Sequence, residues 1–345
     1  MRQLRQKIRV RERLPFWGLR LILGVILLTL SELVMWQNPP ARTPLDWVIL
    51  LILYICLGAI LMEIIVRFQV HGPATLVLAS GIYGLVASAI INHTAFDNLA
   101  VGPYGLLVRG LGLQTAAGLY GLLLFVVVMR GKPAESLQVF AAMGIGALWG
   151  IWVHWYPIQP LVDWELVPIE TATLYVIVAL VIIGVLVARV APRFLFLREQ
   201  QMGLLWWEAI IVGVPLFIAL IVGMFQEVVP IVPLVVFAAI GAFIVWTLHT
   251  QRQGHDPSLL AEITFPAPNV ITYIVLAVSF LVAGTVAYSL VNDRDSVVGI
   301  AVYYIAFAFG TFGLPVALLI IFWRVFRAQT APIEDDLEDL LDEEE

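Results

Sequence analysis

Residues 16–36 read FWGLRLILGVILLTLSELVMW, an apolar run broken by only two charges, Arg20 and Glu32. About 20 such residues suffice for a helix to cross a hydrocarbon core roughly 30 Å thick. The run is too long for the core of a cleavable signal, and no small-residue cleavage site follows it. Arg2, Arg5, Lys7, Arg9, Arg11 and Arg13 precede it. Residues 1–15 therefore read as a basic arm held on anionic headgroups.

Nine further runs follow, near 46–66, 74–92, 106–129, 137–156, 171–190, 204–224, 230–249, 269–290 and 297–325, separated by charges, Pro or Gly. The expected fold is all-α: a polytopic transmembrane bundle of about ten spans over 16–326, with both termini cytoplasmic. Composition agrees. Of 345 residues, 61% are hydrophobic and 13% charged, and mean hydropathy is +0.96. A soluble domain carries about 25% charged residues, so this chain has too few to cover a water-facing surface. The bilayer is its expected first partner, and nothing points to nucleic acid.

Orientation follows from the basic residues, which cluster on the cytoplasmic side of membrane proteins. With the N-terminus inside and ten alternating crossings, Arg67, Arg130, Lys132, Arg189, Arg193, Arg198, Arg252, Arg324 and Arg327 join the N-terminal group on one face. Only Arg42, Arg109 and Arg294 fall outside. Trp17, Trp206, Trp207, Trp246 and Trp323 fall at inner ends, and Trp36, Trp47, Trp152, Trp155 and Trp164 at outer ends, the level indoles prefer. Short loops without a targeting segment point to a prokaryotic cytoplasmic membrane.

Ionisable groups near lipid depth are the functional leads, because burying them demands a partner or water. Asn92, His93 and Asp97 end the third run, Arg109 opens the fourth and His154 ends the fifth. They form a candidate outer polar cluster, with Arg109 as an anion contact and His93 or Asp97 as a proton acceptor. The plainer alternative is an Asp97–Arg109 ion pair. Glu208 is a candidate inner carboxylate below the helix break at Pro215; it suits proton-coupled transport, or a structural pairing with Arg198. Pro315 ends a second break, Gly310 to Pro315. Glu63 and Arg67 have the acid-first spacing of a helical ion pair, whereas Glu32 and Glu227 read as solvated. Gly146-x-x-x-Gly150 fits close helix packing within the chain or between copies.

Residues 327–345 form an acidic tail holding nine of the 25 acidic residues. Ile333, Leu337, Leu340 and Leu341 make one apolar stripe there, suited to folding on a protein partner. No catalytic, metal or cofactor motif occurs: there is no phosphate loop, zinc-binding His-Glu-x-x-His, Cys pair or Gly-x-Ser-x-Gly. The leading expectation is a small-solute permease or transporter. Next come a non-catalytic membrane subunit using its tail, and a membrane-embedded lipid-modifying enzyme centred on His93, Asp97 and Arg109.

Overall fold

A computed structural model describes residues 10–37, 39–96, 105–155, 168–189, 199–251, 257–263, 268–290 and 297–330. The start of the basic arm, Asp97 and the whole apolar stripe of the tail lie outside them. Among the described residues the structure is helical, without strands, and ten helices are long and apolar enough to cross a membrane.

They are α1 (Val10–Leu28), α2 (Pro44–Arg67), α3 (Pro73–Val86), α4 (Thr115–Met129), α5 (Ser136–Trp155), α6 (Ile169–Arg189), α7 (Trp206–Phe225), α8 (Ile231–Gln251), α9 (Val270–Leu290) and α10 (Val297–Ala308, resuming at Leu314–Thr330). Local chemistry sets several starts. Thr43 caps α2, with Asp46 accepting from its backbone N–H at 2.8 Å and Pro44 in the first helical position. This is the reciprocal arrangement that satisfies orphan donors at a helix N-terminus. Pro73 opens α3 in the same way.

Among the described residues four segments widen to π-helix: Thr29–Val34 after α1, Ala87–Ile91 after α3, Leu106–Gln114 before α4, and Phe309–Gly313 inside α10. Side-chain hydroxyls compete with the helical ladder at three of them. Thr29 Oγ1 donates to Val25 O at 2.8 Å, Ser88 Oγ to Gly84 O at 2.6 Å, and Thr115 Oγ1 to Gly110 O at 3.1 Å. Such back-bonding offers carbonyls an alternative partner and loosens the i→i−4 pattern. In α10 the segment lies just before Pro315, which has no N–H to give the preceding turn. The break read from Gly310 to Pro315 thus takes the form of a widened turn.

Burial divides the helices. In the first four spans at least 61% of each apolar window is inside the protein; in the other six at most 33% is. The N-terminal four-helix group is therefore the core, and the later helices clad it with apolar faces turned outward. Val181, Phe217, Val232, Val278 and Leu319 are among those outward residues. Soluble proteins rarely expose large contiguous apolar surface, so the ten helices suggest a multi-pass membrane protein.

Glycines set the closest approaches. A Cβ at Gly146 would meet the carbonyl of Phe280, and one at Gly150 the carbonyl of Gly284, both on α9. The small-residue pair of α5 is thus used inside the chain.

Candidate functional site

Three features of the interior could carry chemistry: two ionic clusters and one apolar cavity. The inner cluster centres on Glu208, which is fully buried. Arg13 Nε donates to Glu208 Oε1 at 3.1 Å and Arg13 Nη2 to Oε2, while Arg20 Nη1 lies 3.1 Å from Oε1. The Leu205 N–H, at the start of α7, donates to the same carboxylate at 3.0 Å. The two arginines also hold the loop before α7: Arg13 Nη1 donates to Gln201 O at 2.6 Å and Nη2 to Gly203 O at 2.7 Å. The Arg13 and Arg20 guanidiniums lie 4.8 Å from the Phe16 and Trp17 rings. Glu63 accepts from Leu204 N at 2.6 Å and pairs with Arg67 at 3.3 Å, as the spacing implied. The result is a clamp fastening α1 and α2 to the entry of α7. A buried carboxylate is tolerable only when so paired.

This changes the reading of Arg13. Arg13, grouped with the headgroup-binding arm, is 8% exposed and committed to Glu208. Arg198 lies outside the described residues; the described side-chain partners of Glu208, Arg13 and Arg20, come from α1. Such partners support a structural role for Glu208; no described contact supports proton transfer. Pro215 is half-buried about two turns further along α7.

The outer cluster centres on Glu32, read as solvated but fully buried. The π-helical turn of α1 holds it against α2, where Tyr54 Oη donates to Glu32 Oε1 at 2.7 Å; Arg42 Nη2 donates to Oε2. Beside it, Ser31 Oγ and Tyr83 Oη share a 2.6 Å hydrogen bond that joins α1 to α3. Asn92 is close enough to influence the same carboxylate, and its Oδ1 accepts from Thr94 Oγ1 at 2.9 Å.

The remaining residues read as an outer polar cluster are described only in part. His93 takes a positive φ of 56°, with its ring near enough to α7 that a Cβ at Gly223 would touch Nε2. Arg109 is half-buried on the π-helical turn before α4. Asp97 and the side chain of His154 lie outside the described residues. Among the described residues, no three His, Cys, Asp or Glu side chains gather as a metal site would require.

The cavity has about 230 Å³ and lies between α1, α4, α5 and α10. Three of the four π-helical segments border it, through Leu30 and Val34, Gly112 and Leu113, and Phe309. A Cβ at Gly112 would strike Ala306 O, and one at Gly310 would strike Leu107 O, so α4 and α10 meet backbone to backbone at its edge. Trp149 and Trp152 form the α5 wall, and Trp152 Nε1 donates to Met35 O at 2.8 Å. Leu148 and Ile305 line the cavity and are exposed, so it reaches the bundle surface between α5 and α10.

Two tryptophans assigned to the outer headgroup belt are thereby corrected. Trp36 and Trp152 are buried, at 1% and 6% exposure, and serve as packing pieces; Trp36 lies edge-on to Tyr175. Trp206, Trp246 and Trp323 are exposed, as belt residues would be. The chain matches no protein-family model, no curated protein and no solved structure, so the functional reading rests on this geometry.

Proposed function

We propose that this chain is a permease-like protein of a cytoplasmic membrane, with both termini inside, whose solute is lipophilic rather than charged. The cavity between α1, α4, α5 and α10 carries the reading. Its lining is apolar, it opens sideways between Leu148 and Ile305, and three helices depart from α-geometry around it. Widened turns recur at functional sites, and an apolar cavity of about 150 Å³ already stays dry and binds benzene. A cavity of 230 Å³ therefore suits a hydrocarbon chain or a compact apolar solute. The cavity also borders the widened turn before Pro315 through Phe309, and its apolar lining favours an apolar solute.

Photolabelling tests this. In native membranes, a lipid carrying a diazirine in its acyl chain should label 145–152 and 305–309 of the wild type. Ala116→Trp, which fills the cavity from its α4 wall, should reduce that labelling at least fivefold. Labelling spread evenly over the outward faces of α6 and α8 and unchanged by Ala116→Trp would count against it.

A second reading, a non-catalytic membrane subunit, draws on how fully Glu208 and Glu32 are engaged within the bundle. It predicts that a partner is lost from pull-downs when Pro332 to Glu345 are deleted. The permease-like reading predicts that photolabelling survives this deletion.

A further inference from the structure

A groove of about 390 Å³ runs between α6 and α9, along α6 from Ile177 to Arg189 and along α9 from Leu281 back to Val270. Its rims are the outward-turned side chains of Val181, Val185, Ile274 and Val278, so it opens away from the bundle. Small residues deepen it: Gly184 and Ala188 on α6, and Ala277 on α9. Tyr273 spans the floor. Its Oη donates to Leu180 O, and its ring is so near α6 that a Cβ at Gly184 would lie 3.1 Å from Cε1. The tyrosine braces the two helices apart while its own hydroxyl stays satisfied.

Length and charge together point to one occupant. Ile177 and Arg189 are twelve positions apart on α6, or about 18 Å at 1.5 Å per residue. Half of a hydrocarbon core is about 15 Å. The groove therefore covers the depth of one leaflet and stops, leaving the other ends of α6 and α9 outside it. A partner helix would need a track across the whole core; an acyl chain needs a single leaflet.

Arg189 supplies the charge. It closes the α6 span and is exposed, at the level of headgroups. It is the one charged side chain that lines the groove, and among the described residues it makes no ion pair. Arg130, just past the same end of α4, is by contrast held by Glu135 and Glu262. A guanidinium presents a planar fork of donors that matches phosphate. With α6 ending on the cytoplasmic face, we infer that the groove seats an anionic glycerophospholipid of the inner leaflet. Its phosphate sits on Arg189, and one acyl chain lies over Tyr273 and Ala277 toward Leu281. This site shares the ten-crossing frame with the permease-like reading but not its cavity, so either can fail without the other.

The test uses the full chain in phosphatidylcholine vesicles with a trace of probe lipid carrying a diazirine in one acyl chain. The probe is either phosphatidylglycerol or phosphatidylcholine. Labelling of 177–188 and 273–281 is expressed relative to the outward face of α8, which reports bulk lipid. In the wild type that value should be about threefold to tenfold higher with the phosphatidylglycerol probe, the order expected for one basic residue near an anionic headgroup. In Arg189→Gln the ratio should fall to about one. Lys132 is the control. Its carbonyl accepts from Thr272 Oγ1 at 2.9 Å, which puts this exposed cation near the start of α9 without lining the groove, and Lys132→Gln should leave the ratio raised. Ala188→Trp, which blocks the mouth, should cut groove labelling with both probes. Arg189, Lys132 and Ala188 are all exposed, so these substitutions spare the packed interior. A wild-type ratio of one, a raised ratio that persists in Arg189→Gln, an equal fall in Lys132→Gln, or labelling indifferent to Ala188→Trp overturns the assignment. Labelling below the α8 reference with both probes also overturns it, because the groove is then covered by protein, such as a second copy of this chain.

Discussion

Arg20 on α1 and Glu208 on α7 lie 3.1 Å apart at zero side-chain exposure, although 188 positions separate them. Such a pair can be laid down only when the first helix and the seventh dock, and it fixes their relative height. Arg13 adds a second guanidinium to the same carboxylate, so removing the acid leaves two buried cations facing each other.

Glu208→Ala should therefore destabilise the protein by about 3–5 kcal/mol, the usual cost of stripping one partner from a buried pair. Arg20→Met should cost less, because Arg13 continues to neutralise Glu208. Cys56 is the sole cysteine and is buried on α2, so its alkylation during heating reports the opening of the core. The order Glu208→Ala, Arg20→Met, wild type in rising midpoint is expected; equal midpoints would show that the cluster adds nothing.

At the other end of α1, Tyr54 donates to a carboxylate and Tyr83 shares a hydrogen bond with a neutral hydroxyl. Hydrogen bonds to charged groups contribute about 1.5–3 kcal/mol and neutral ones about 1 kcal/mol. Tyr54→Phe should lower the Cys56 alkylation midpoint more than Tyr83→Phe does. The reverse order would place the Glu32 charge elsewhere than against Tyr54.

Gly150→Ala directs a Cβ at the carbonyl of Gly284, whereas a Cβ at Gly144 meets nothing within 4 Å. The first substitution should destabilise by about 1–3 kcal/mol through overpacking. The second should be neutral or mildly stabilising, as alanine is the better helix former by up to about 1 kcal/mol. Thermal scans of both variants distinguish the packed face of α5 from its open one.

Much of the helical layout was legible, because apolar runs of span length need no long-range information. Each of the ten runs lies on a long helix. Glu63 with Arg67 was legible for the same reason, since a spacing of four is local. The α1–α7 clamp was not, for no periodicity links position 20 to position 208. The available signal was an arginine inside an apolar run, which has to find a buried acid. Glu32 misled because it lies near the end of its run; the π-helical turn and Tyr54 draw it inward.

The account stands on ten crossings that keep the basic residues on one face, and cysteine labelling tests it most directly. In a Cys56→Ala background, single cysteines at positions 132, 198 and 294 can be probed with a membrane-impermeant thiol reagent in intact and in permeabilised cells. Positions 132 and 198 should react only after permeabilisation, and position 294 in intact cells. Finding 132 and 198 on opposite sides of the bilayer would contradict the alternation.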